Sequence, residues 1–165
     1  MSENEIGVPE NYKEEEKRNN ILCYTSDTFE EELTITGDLQ VKFFASSTSK
    51  DTDWVVRLTE VDEDGNSIKL VDGVLCARYR NSFTEPEFME EGEVYEFTIK
   101  TSKISNTFKK GSKMRLTITS SAKNFIFPNS NTIDGYNSKT YICAKNTIYH
   151  GSKYPSRIIL PVENR

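Results

Sequence analysis

The sequence predicts an all-β domain, an antiparallel sandwich or barrel, and three observations carry that expectation. Apolar residues recur at period two along most of the chain. Clusters rich in Gly, Asp, Asn and Lys separate these runs. No segment sustains an i, i+3, i+4, i+7 apolar stripe beyond two turns, so little helix is expected. Roughly eight to ten short strands follow from this rhythm.

In chain order, residues 1–20 hold six glutamates and Pro9 with little apolar content, and read as an acidic tail or linker remnant. The sandwich is expected over residues 21–165. Leu33 and Ile35 alternate with polar neighbours; Leu39, Val41, Phe43 and Ala45 then share one face, with Gln40 and Lys42 on the other. Trp54, Val56 and Leu58 point one way, and Val55, Arg57 and Thr59 the other. If "DGVLCARYRNS" (72–82) is extended, Cys76, Arg78 and Arg80 share a face opposite Leu75, Ala77 and Tyr79. The same alternation returns in Tyr95-Phe97-Ile99, Met114-Leu116-Ile118 and Ile158-Leu160-Val162. Turns are expected at Gly37-Asp38, at "DEDGN" (62–66), at "EEGE" (90–93) and at "KKGSK" (109–113).

A chain of 165 residues favours one domain and buries roughly 70% of its unfolded surface. The net charge of −5 argues against a nucleic-acid partner, which would need a basic stripe. No apolar run approaches the ~20 residues that cross a bilayer, and the acidic "MSENEIGVPE" is not expected to serve as a signal peptide. Cys23, Cys76 and Cys143 are odd in number and widely spaced, which disfavours disulfide and zinc frameworks. They read as small buried thiols in a reducing, cytoplasmic setting.

Catalytic chemistry is hard to assemble. His150 is the one histidine, and no G-x-S-x-G elbow occurs, so a structural or surface role is expected for it. "DTD" (51–53) and "DEDG" (62–65) bring carboxylates together, but an EF-hand counted from Asp62 would have Ser67 and Gly73 at its glycine and glutamate positions. Turn chemistry explains both stretches, and neither metal nor cofactor is expected. Trp54 is in phase with Val56 and Leu58, which marks it as core rather than a sugar-stacking platform. Phe125 and Phe127 precede Pro128 in a polar loop and read as an exposed docking contact.

The segment "DTDWVVRLTEVDEDGNSIKLVDGVLCARYRNS" (51–82) resembles the C-terminal domain of X-Pro dipeptidyl-peptidases and cocaine-esterase-type acyl hydrolases. "RNNILCYTS", "EEGEVYEFTIK", "ISNTFKKGSKMRLTITSS", "PNSNT" and "TIYHGSKYPSRIILPV" follow the same order and spacing, so the resemblance covers about residues 18 to 163. It implies a jelly-roll β-sandwich of the galactose-binding-like class, packed on an upstream α/β-hydrolase domain that carries the nucleophile. This chain would then hold no catalytic residue. A free-standing carbohydrate-binding or dimerising module is the alternative, with a homodimer as its partner.

Two departures stand out. An arginine usual before the "NxNTG" element is missing, with Asn129 close to its place, and Ile133 follows Thr132 where glycine is usual. Cys76 replaces the first arginine of the common "ILRARYR". Two readings stay open for Arg78 and Arg80: pairing within the domain with acids such as Asp53, Glu60 or Asp72, or contact with the catalytic domain. The candidate interdomain contacts are Arg78, Arg80, Phe125, Phe127 and Asn129.

Overall fold

The computed structural model describes residues 10–163. Eight strands run in the order β1 (Leu22–Thr25), β2 (Leu33–Ser47), β3 (Asp53–Val61), β4 (Ser67–Cys76), β5 (Tyr95–Phe108), β6 (Lys113–Thr119), β7 (Asn146–Tyr149) and β8 (Arg157–Ile159). They form two four-stranded sheets: β1-β6-β3-β4, and β5-β2-β7 with β8 also paired to β2. Every pairing between strands is antiparallel. Helical residues among those described are confined to single 3₁₀ turns at Glu15–Lys17, Ala77–Tyr79 and Gly135–Asn137.

The alternation read from the sequence explains how the sheets close on each other. Val41, Phe43 and Ala45 of β2 meet Trp54 and Val56 of β3, Phe97 and Ile99 of β5 and Ile118 of β6 in one buried cluster. Phe43 lies edge-on to Trp54 at 5.3 Å between centroids and stacks on Phe97 at 5.4 Å. Each such ring contributes roughly 1.5–3 kcal/mol by burial, before any ring-pair term. A second cluster joins Ile35, Leu39, Leu58, Val71, Phe108 and Met114. Trp54 is 2% exposed, so it is core, as its phase predicts.

The turns expected at 62–66, 90–93 and 109–113 are found between strands or at a strand entry, with Gly65, Gly92 and Gly111 all at positive φ. The turn expected at Gly37-Asp38 is not there, and β2 runs straight through it. Residues 33, 35, 39, 41, 43 and 45 keep one parity, so the inward face is never interrupted. The irregularity falls on the partner: Asp38 pairs with Lys103 but Gln40 with Lys100, which leaves an extra residue in β5. Phe97 and Ile99 therefore point inward on odd numbers and Phe108 on an even one. Gly37 serves a different need, since a Cβ there would come within 3.2 Å of Pro161.

Three further expectations are corrected. Residues 10–20, assigned by composition to the tail, pack over the outer face of the first sheet; residues 1–9 lie outside the described residues. Tyr12 is buried, with the Arg57 guanidinium 3.7 Å above its ring, and Glu16 bonds Ser67 and Arg115 at 2.7 and 2.6 Å. That cover over Arg57, the core against Trp54 and Val56, and Asn129 and Tyr136 over Asp53 together bury β3 along nearly its whole length. Of the three thiols, Cys23 and Cys143 are exposed and Cys76 is half-buried, so the uniform burial expected of them is wrong. Finally, β4 stops at Cys76, and Arg78 and Arg80 sit in and just after a 3₁₀ turn rather than on one strand face.

Candidate functional site

The most concentrated polar chemistry lies where β3 begins and β4 ends. Asp51, Thr52 and Asp53 are each 0% exposed, so the turn role expected for "DTD" is wrong, while that for 62–66 holds. The 3₁₀ turn at Ala77–Tyr79 brings the Arg78 amide to Asp51 Oδ1 at 3.0 Å and its Nε to Oδ2 at 2.8 Å. The same guanidinium donates through Nη1 to the Ile133 carbonyl at 2.9 Å and through Nη2 to the Thr132 carbonyl at 3.0 Å. It also lies 4.9 Å from the centre of the Phe88 ring. A planar fork can satisfy a carboxylate and two carbonyls at once, which a lysine cannot.

Asn129 completes the cluster from the loop. Its Nδ2 donates to Asp51 Oδ2 and to Asp53 Oδ1, 2.9 Å each, while its Oδ1 accepts the Asn131 amide. Tyr136 donates its hydroxyl to Asp53 Oδ2 at 2.8 Å. Gly135 stands beside it at φ +56, where a Cβ would come within 2.7 Å of Arg78 Nη2. Burial raises the Asp53 pKa, against the opposing pull of its bonds to Asn129 and Tyr136. Burial, and then the charges of Asp51 and Asp53, push the Cys76 thiol well above the ordinary cysteine range. Tyr136 is raised by burial and by Asp53. A thiol held this firmly in the protonated form is no nucleophile.

Arg80 is also satisfied internally. It bonds the Glu87 carboxylate and backbone carbonyl and lies 4.4 Å from the centre of the Tyr95 ring. The expected acids Asp53, Glu60 and Asp72 are therefore not the partners of either arginine: Arg78 takes Asp51, Arg80 takes Glu87, and Asp72 takes Arg57. Of the five candidate contacts, Phe125 and Phe127 reach the surface, at 40% and 85% exposure. Asn129 is buried, and the Arg78 and Arg80 side chains are 13% and 3% exposed. Ile133, Tyr136, Tyr141 and Ile142 are exposed on the same loop, and the sequence reading missed them. Their signal was present, as apolar residues without a period inside a polar stretch.

His150 bonds Tyr24 Oη through Nε2 at 3.0 Å and meets its ring edge-on. The phenol bridges β1 to the residue after β7, across the seam between the sheets. An apolar cleft of about 330 Å³ opens beside it, lined by Phe43, Met114, Leu116, Ile118, Ile148 and Ile158. A tyrosine in the place where a serine or cysteine would be needed gives no acyl-transfer pair.

Comparison with known proteins agrees with this picture. Residues 3–159 match the X-Pro dipeptidyl-peptidase C-terminal non-catalytic domain. The chain is 34% identical over 151 residues to the cocaine esterase of Rhodococcus sp. (strain MB1 Bresler), covering 90% of this chain and 26% of that protein. An α-amino acid ester hydrolase structure superposes with TM-score 0.86 at 25% identity, over 92% of this chain and 27% of the other. An aminopeptidase from a marine sediment Thaumarchaeota archaeon shares the fold, with TM-score 0.89 at 22% identity, over 95% of this chain and 28% of its own. The chain thus spans about a quarter of the length of these relatives. An all-β body of two facing sheets, no acyl-transfer pair at its histidine, and a family match over nearly the whole chain lead to one assignment: this chain belongs to the family of X-Pro dipeptidyl-peptidase C-terminal non-catalytic domains.

Proposed function

We propose that this domain docks on the α/β-hydrolase domain of a serine hydrolase and helps bound its substrate cleft. The parent enzyme would cleave an X-Pro dipeptide from a peptide N-terminus or hydrolyse an acyl ester. The observation that carries this is the match of residues 3–159 to a domain whose description is non-catalytic. The relatives are roughly four times longer, which leaves room for a catalytic portion that this chain does not supply.

The docking face is the loop that presents Phe125, Phe127, Ile133 and Ile142. Arg78 and Asn129 sit beneath it and fix its backbone, and Arg80 braces the neighbouring 80–90 segment. Apolar side chains held out by a rigid polar base suit a contact that excludes water at its centre. Gly-Pro-nitroanilide and a nitrophenyl ester test the non-catalytic half of this reading. The pure chain is expected to turn over neither, and serine-dependent turnover would overturn the reading. If the same face instead joined two copies, light scattering would return twice the monomer mass.

A further inference from the structure

We propose that Asp53 is the proton-operated catch of a latch that fastens residues 129–137 to the sandwich, closed when Asp53 is protonated and loosened when it is ionised. Its ground is the balance of charge around two carboxylates that are themselves fully buried. Two carboxylates, Asp51 and Asp53, are fully buried and share the single Nδ2 of Asn129. One cation, Arg78, serves the cluster, and its guanidinium is spent on Asp51 and on two loop carbonyls. Asp53 meets only neutral donors: Asn129 and Tyr136 from the loop and Cys76 from the end of β4. Among the described residues no cation forms an ion pair with it.

A buried carboxylate without a cation beside a second carboxylate is a poor place for a second negative charge. A proton on Oδ2 removes the difficulty without moving a heavy atom. The carboxyl then donates to Tyr136 Oη, the phenolic hydrogen turns outward to water at the half-exposed ring, and Oδ1 still accepts from Asn129. The proton comes from solvent and returns to it, so no other group need change charge. The groups facing Asp53 are thus Asp51 at the entry to β3, Cys76 at the end of β4, and Asn129 and Tyr136 on the loop, while Arg78, in the turn after β4, faces Asp51.

The direction of the pH dependence is fixed by burial raising the closed-form pKa above that of the open form. The closed form keeps its full advantage below the ordinary carboxylate range. Above that range the advantage falls about tenfold per pH unit, until closed-form Asp53 itself ionises and the loss levels off. The docking reading enters only in what the latch serves, since this segment carries Ile133 and leads to Ile142. The latch itself is tested on the chain alone.

The experiment is hydrogen exchange of the Asn131, Gly135 and Ile142 amides from acid to mildly alkaline pH, corrected for the intrinsic rate. Their protection in the native chain is expected to fall by up to about tenfold per pH unit over the transition. In Asp53→Asn, which keeps the shape and cannot ionise, it should stay flat. A second readout is the infrared carbonyl band of a protonated carboxyl, expected in the native chain and absent from the variant. If Asp53→Asn does not fold, Tyr136→Phe takes its place and should shift the transition without abolishing it. Protection independent of pH in the native chain, a transition that persists in Asp53→Asn, or no protonated carboxyl band would overturn the latch and leave the docking reading untouched.

Discussion

Arg78 and Asp51 are joined twice, once through the arginine's backbone amide and once through its guanidinium, and the rest of that guanidinium holds the Thr132 and Ile133 carbonyls. One side chain therefore links the entry to β3, the exit of β4 and the 129–137 loop. Removing it leaves a buried carboxylate facing no cation. Arg78→Ala is expected to cost about 3–5 kcal/mol in urea unfolding, since breaking a buried pair from one side is worth that much. Arg78→Lys should recover only part of it, because an ammonium cannot reach the carboxylate and both carbonyls together.

Gly135 tests the same junction from the loop side. Its φ of +56 opposes any larger residue, and so does Arg78 Nη2, which would lie only 2.7 Å from an added Cβ. Gly135→Ala should destabilise by about 1–2 kcal/mol from the left-handed backbone alone, visible as a lowered Tm. Gly92→Ala, where nothing lies within 4 Å, carries the backbone cost without the collision and should be milder.

Phe43 and Phe127 separate core from contact. Phe43 is 1% exposed and wedged between Trp54 and Phe97, so Phe43→Ala should cost about 3–5 kcal/mol in urea. Phe127 is 85% exposed, and Phe127→Ser should change stability by no more than about 0.5 kcal/mol. In a polypeptide that also carries the hydrolase domain, that same change, paired with Ile142→Ser, should loosen the two modules, read as earlier proteolysis between them.

The thiols should differ in reactivity. Cys143 is exposed and should be alkylated first by iodoacetamide. Burial and Glu16 raise the Cys23 pKa, which slows it despite its exposure. Cys76 should stay unmodified until the chain unfolds, since burial and two neighbouring carboxylates suppress its thiolate. Peptide mass spectrometry over a time course gives the order directly.

Much of this architecture was legible in the chain because alternation is a local signal. Trp54, Val56 and Leu58 declare a buried face without reference to any other strand. The Gly37-Asp38 pair misleads because turn residues also serve at close approaches, and only the unbroken parity from Leu33 to Ala45 reveals that the strand continues. The polar cluster was less legible for a physical reason. Asp51, Arg78 and Asn129 stand 27 and 51 positions apart, from 51 to 78 and from 78 to 129, and nothing local marks them as partners. The N-terminal segment was misread because composition counts its glutamates, whereas Tyr12 and Glu16 are placed by what they cover: Arg57, Ser67 and Arg115.

That segment has a practical consequence for anyone cutting the gene. A version trimmed to start at Leu22, where the first strand begins, would discard the aromatic lid over Arg57 and open the middle of β3 on its outer face. Water would then reach a strand that the rest of the sequence treats as interior. In engineering terms the module starts well before its first full strand, since Asn11 already bridges Ile68 and the Glu10 carbonyl takes the Lys69 amide, and a fusion joint belongs ahead of Glu10.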